Sequence, residues 1–248
     1  MTFRQFPLWI FCAGIALLPC AAQEIESVSL RFLSFPRAIN PEPVELLLGE
    51  GKTIKVEIPT NELSAAHKLK RQTIWAFGET VEGKDGKPVF KVFGQAAALA
   101  STEQLILLIR KGKTNADGFE VIPVDNRDTQ FGGGKFLFFN AAKIDIAGVV
   151  GSEKFAVKPG RHTLIKPKAD QDIKGLCNIL IYFRKDDQAK PFFSSTWPLS
   201  NVARGLIFFY HDPDTQRLRL HTIRDFPKQF PDTMNLNDRK NTNLSRKD

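Results

Sequence analysis

Short apolar runs of four to eight residues recur from one end of the chain to the other, most of them flanked by Gly, Pro, Asn or Asp. Runs of this length with period-two alternation or β-branched and aromatic content predict strands. In the first half they cover residues 29–35, 44–48, 53–58, 73–77, 89–93, 105–109 and 119–124. In the second half they cover 135–139, 146–150, 154–157, 162–165, 176–183, 192–196, 206–210 and 218–223. Helical periodicity is confined to two brief segments. These are 61–70, with Thr60 or Asn61 as N-cap, and the alanine-rich 95–100. Many short strands at close spacing predict an all-β sandwich or barrel architecture.

The order of features repeats after about a hundred residues. Arg31-Phe-Leu-Ser-Phe35, Leu46-Leu-Leu-Gly49, Ile54-Lys-Val56 and Ile74-Trp-Ala-Phe77 are answered by Lys135-Phe-Leu-Phe-Phe139, Gly148-Val-Val-Gly151, Phe155-Ala-Val157 and Leu180-Ile-Tyr-Phe183. Lys87-Pro-Val-Phe90 and Lys190-Pro-Phe-Phe193 follow in the same rank, then Leu105–Ile109 and Leu206–Tyr210, and finally Val124-Asp125 and Ile223-Arg-Asp225. An internal repeat outweighs single motifs in fixing architecture. The expectation is two tandem β-sandwich repeats of immunoglobulin-like size, 23–128 and 129–226, joined by a polar, glycine-ended linker near 125–134. Residues 227–248 are polar and lack alternation, as expected of a flexible tail.

The leader changes the picture of compartment. Residues 1–22 carry one basic residue, an apolar run from Phe6 to Leu18 and small residues before Gln23. This is the layout of a signal peptide cleaved after Ala22, too short in its apolar run to span a bilayer. The expected location is periplasmic or extracellular, with no transmembrane helix in the mature chain. A lipoprotein reading at Cys20 is disfavoured by Pro19. Cys12 and Cys20 lie in the leader, so only Cys177 remains and no intramolecular disulfide can form; its strand context predicts burial.

Charge is uneven. Residues 23–130 carry 14 basic and 15 acidic side chains, whereas 131–225 carry 15 and 9, and the whole chain is +8. Within the second unit Lys154, Lys158, Arg161, His162, Lys166 and Lys168 cluster around Pro159-Gly160, which reads as a basic hairpin; with Trp197 beside it, it is the candidate anion- or glycan-binding site. The competing reading of those lysines is a solvated face that keeps exposed strands soluble.

Other motifs resolve to turns. Gly51-Lys-Thr53 and Gly112-Lys-Thr114 lack the first glycine of a phosphate loop and sit between strands. His211-Asp-Pro-Asp214 has the chemistry of a chain reversal, and no metal site is expected from it. Ser194 or Ser195 with His211 or His221 lacks a nucleophile elbow. No catalytic residue, cofactor or nucleic-acid partner is assigned. Trp75, Trp197, Tyr182 and Tyr210 are expected in the core. The pairs Phe138-Phe139, Phe192-Phe193 and Phe208-Phe209 put a ring on each strand face, as expected where strands are covered on both sides. The leading expectation is an exported, non-enzymatic interaction or structural module meeting an envelope protein. The alternatives are a binding module for anionic polysaccharide and, less favoured, a hydrolase assembled from distant loops.

Overall fold

The computed structural model describes residues 27–37, 42–168, 175–185, 188–212 and 215–227. The predicted leader and the predicted tail from 228 onward fall outside the described residues. The first unit contains β1 (Ser27–Phe35), β2 (Val44–Leu47), β3 (Thr53–Val56), β4 (His67–Lys70), β5 (Ile74–Glu82), β6 (Pro88–Ala97), β7 (Glu103–Arg110) and β8 (Phe119–Asp125). A helical turn, α1 (Asp128–Phe131), leads to the second unit. That unit contains β9 (Phe136–Asn140), β10 (Ile146–Val150), β11 (Glu153–Val157), β12 (His162–Ile165), β13 (Leu176–Lys185), β14 (Gln188–Pro198), β15 (Arg204–His211) and β16 (Leu218–Asp225).

The two units have the same topology, strand for strand. Sheets β4-β1-β7-β8 and β3-β2-β5-β6 build the first sandwich, and sheets β12-β9-β15-β16 and β11-β10-β13-β14 the second. In each, the first strand runs parallel to the seventh. The last hairpin of each outer sheet, β5–β6 and β13–β14, carries a register shift at a matching place, Phe77/Gly78 and Ile181/Tyr182.

Register corrects the sequence alignment in part. Phe32 lies opposite Ile106 and Phe138 opposite Ile207, which makes Phe138 the counterpart of Phe32. The shared Lys-Pro-x-Phe is not equivalent in space. Pro88 pairs with Glu82 at the hairpin tip, whereas Pro191 pairs with Tyr182 beside the bulge, where the first unit has Val92. The repeat rests on register and topology, and the tetrapeptide is a coincidence of sequence.

Both predicted helices are overturned. Residues 67–70 form β4 on the edge of β1, with Lys68 and Lys70 exposed and His67 and Leu69 half-buried. The preceding segment is held extended because the Phe32 N–H donates to Ser64 Oγ at 2.9 Å, the Ser64 N–H donates to the Phe32 carbonyl at 3.0 Å, and Leu63 is buried. At 95–97 the chain continues β6, Ala97 pairing with Ile74, and Ala96 and Ala98 turn toward the core. Long-range pairing overrides the weak helix preference of a few alanines.

Three layers of apolar side chains result. One lies inside each sandwich, around Phe32, Trp75 and Phe77 in the first and Phe138, Ile179 and Phe209 in the second. The third lies between the units, where Leu33, Phe35, Leu105 and Leu107 meet Leu137, Phe139, Leu206 and Phe208. Phe35 stacks on Phe208 at 4.6 Å, and Phe131 of the connecting turn is fully buried in the same layer, so the segment read as a polar linker contributes to the core. Each such Leu or Phe contributes roughly 1.5–3 kcal/mol by leaving water. The unbroken runs at 105–109 and 206–209 are thereby explained, since both faces of β7 and β15 are covered. Of the three phenylalanine pairs, 138-139 and 208-209 split between two layers. Phe192 and Phe193, on the edge strand β14, are only half-buried.

Candidate functional site

The same position in the two sandwiches is filled in one and open in the other. In the first unit Gln104 of β7 lies opposite Leu30 of β1 and is fully buried. Its Oε1 accepts from Trp75 Nε1 at 3.0 Å and from the Leu99 N–H at 3.3 Å, while its Nε2 donates to the carbonyls of Leu99 and Ser101 at 3.0 and 3.1 Å. Arg71 closes the same loop by donating to the carbonyls of Leu99, Ala100 and Ser101. This end of the first sandwich is a hydrogen-bonded plug.

In the second unit the counterpart of Gln104 is Gly205, opposite Phe136. A Cβ at Gly205 would come within 2.8 Å of the Phe136 ring, so the glycine lets that ring lie across the strand. Trp197 meets Phe136 edge-to-face at 5.6 Å. A cavity of about 270 Å³ remains, walled by Phe136, Trp197, Pro198 and Ile207, with Arg204 and the exposed Thr222 and Arg224 of β16 also in its lining. Trp197, expected in the core, is a half-buried pocket wall, whereas Trp75 is fully buried as expected.

Behind the pocket lies a charged contact between the units. Asp225 receives Arg31 Nη1 at 3.2 and 3.3 Å from the first unit and Arg204 Nε at 2.7 Å from its own. Arg204 also donates to the Phe131 carbonyl, and its guanidinium lies 4.3 Å from the Phe131 ring centroid. Burial holds the Arg204 pKa below the ordinary guanidinium value, and Asp225 opposes that shift. A cleft of about 850 Å³ opens beside this contact, with Arg31, Lys68, Arg204 and Arg224 matched by Glu62, Glu103, Asp128 and Asp225.

The predicted basic hairpin is not a hairpin. Strand β11 belongs to one sheet and β12 to the other, so Lys158–Arg161 is a crossing turn between sheets. Each strand has a different partner: β11 is committed to β10 and β12 to β9. The six residues are therefore spread out. Lys158, Arg161 and His162 lie at the end of the sandwich near Asn140, while Lys166 and Lys168 follow Ile165, which pairs with Phe136 at the pocket end. Lys154 lies on β11 about 13 Å from Lys158 at the usual strand rise. All six are exposed, and Lys168 pairs with Glu153 at 3.2 Å. Partial desolvation, and then Arg161, lower the His162 pKa, so the imidazole adds little charge at neutral pH.

The nominal Ser and His set is not brought together. Ser194 faces outward on β14, beside Leu180, and Ser195 is half-buried. His221 turns toward the inter-unit layer, 5.9 Å from the Phe35 ring, and His211 pairs with Leu218 at the opposite end of β16. Cys177 is buried, and among the described residues no group of three His, Cys, Asp or Glu is placed to hold a metal ion. No described helix is long and apolar enough to cross a membrane. Protein-family models and curated proteins give no match to this chain.

Sequence reasoning missed Gln104, Gly205, Arg31, Arg204 and Asp225. The first pair was visible as Gln against Gly immediately before two matched apolar runs. The charged trio was visible as Arg and Asp set into otherwise apolar strands.

Proposed function

We propose that the chain is an exported, non-enzymatic interaction module that meets an envelope protein through the β5–β6 hairpin of its first unit. One observation carries this reading. The hairpin runs from Ile74 paired with Ala97 to Glu82 paired with Pro88, whereas the pairing of β2 with β5 ends at Glu45 opposite Gly78. It projects beyond its neighbour from Glu79 to Lys91 and carries exposed Val89 on that stretch and Val92 at its base; with Ile74 at the far end, the hairpin holds three of the five exposed large apolar side chains among the described residues. Exposed apolar side chains on a projecting hairpin suit a protein surface. The test is a crosslinked pull-down of the full chain from host envelope extract across a salt series. A salt-resistant protein captured by the native chain and lost with Val89→Lys/Val92→Lys, at unchanged melting temperature, supports the reading; undiminished capture by that variant ends it.

A second reading, an anionic polysaccharide held by the second unit, is favoured by the exposure of Lys154, Lys158, Arg161, Lys166 and Lys168. It requires retention on an acidic polymer that fades as salt rises and is abolished by lysine-to-glutamate changes at these positions.

A further inference from the structure

We propose that the end pocket of the second unit is a binding site for a small amphiphilic anion, a short acyl or single-ring group bearing a carboxylate. The inference stands apart from the protein-binding surface on the first unit. Its first ground is the difference between two structural counterparts. Gln104 and Arg71 seal the first unit, while Gly205 removes the plug from the second and Phe136 and Trp197 become walls instead of filler.

The second ground is size and lining. An apolar cavity of about 150 Å³ accommodates benzene. The ~270 Å³ here, walled by Trp197, Phe136, Pro198 and Ile207, has room for a ring with a short chain, or for an acyl chain of several carbons. Apolar walls with a few polar groups on one side are the usual form of small-ligand sites.

The third ground is charge. Arg204, Arg224 and Thr222 all line the cavity; Arg224 and Thr222 are exposed, and the Arg224 guanidinium lies 5.3 Å from the Phe226 ring centroid. Lys166 and Lys168 follow the strand that pairs with Phe136, on the same end of the sandwich. Of the acidic side chains nearby, Asp225 bonds Arg31 and Arg204 on the inter-unit side and Glu153 pairs with Lys168 at 3.2 Å. A ligand with its tail against Trp197 places its carboxylate at Arg224, where a guanidinium can bind it with two parallel hydrogen bonds.

Octanoate titrated into the full chain by calorimetry is the direct probe, with octylammonium as the same tail under opposite charge. The expected result is one octanoate per chain, at least tenfold preferred over octylammonium, with the preference reversed by Arg224→Glu. Gly205→Gln rebuilds the plug and abolishes binding. Should that variant fail to fold, Thr222→Trp covers the mouth from an exposed position and does the same. Octanoate that fails to saturate at one site, or that binds Thr222→Trp as tightly as the native chain, overturns the proposal. Equal affinity for octylammonium overturns its charge component.

Discussion

Gln104 and Gly205 occupy one position of one topology, and the contrast between them shows how a repeated fold divides labour. The first unit uses a polar side chain to finish its core: the Trp75 N–H, two loop carbonyls and a loop N–H all find their partner in one carboxamide. The second unit has no side chain at that point and leaves space between aromatic rings. Buried polar groups must be paired, so a plug of this kind is stabilising only when complete. The units also meet asymmetrically, because the Arg204–Asp225 pair belongs to the second while the first contributes Arg31.

The strongest way to break this picture is Asp225→Ala. It leaves Arg204, whose side chain is wholly buried, and Arg31 without their carboxylate. Loss of one partner from a buried ion pair costs about 4 kcal/mol, read as a lower urea midpoint. Gln104→Ala comes next. It strands the indole N–H of Trp75 in the core and is expected to cost about 2 kcal/mol, with increased hydrogen exchange in the 99–101 loop.

A smaller effect tests the layer between the units through pH. Burial, and then Arg37, lower the His221 pKa below its ordinary 6.5. The unfolded chain therefore takes up this proton more readily than the folded one. The contribution to stability is complete above about pH 6.5 and is lost as pH falls through the folded value. Urea midpoints of the native chain are expected to drop between pH 7 and pH 5, and His221→Gln flattens that slope. The smallest effect belongs to the exposed Lys168–Glu153 pair. Glu153→Gln is expected to change stability by less than about 0.5 kcal/mol in thermal melts.

Much of the fold was legible in the sequence because strands are written in alternation, and the runs ending at Phe35, Val150, Ile165 and Ile223 mark real strands. The paired phenylalanines also pointed to strands covered on both faces, which is how Phe138-Phe139 and Phe208-Phe209 are used. Edge strand β4 was hidden because its four residues resemble a helix end, and it exists through pairing with β1, a long-range term that local pattern does not carry. The six basic residues were read as one surface because they are close in sequence. Their strands belong to different sheets, and sequence proximity says nothing about which strand each will pair with. Trp197 was singled out early, but its role as a wall depends on Gly205, eight residues onward on another sheet.

The central claim is that one end of the second unit is open to an apolar guest while its counterpart in the first is sealed. Xenon enters apolar cavities without needing polar partners, so a crystal of the full chain under xenon pressure puts the two ends side by side in a single experiment. The account predicts xenon density between Trp197, Phe136 and Ile207, and none beside Trp75 and Gln104. An empty second-unit pocket, or equal density at both ends, would contradict it.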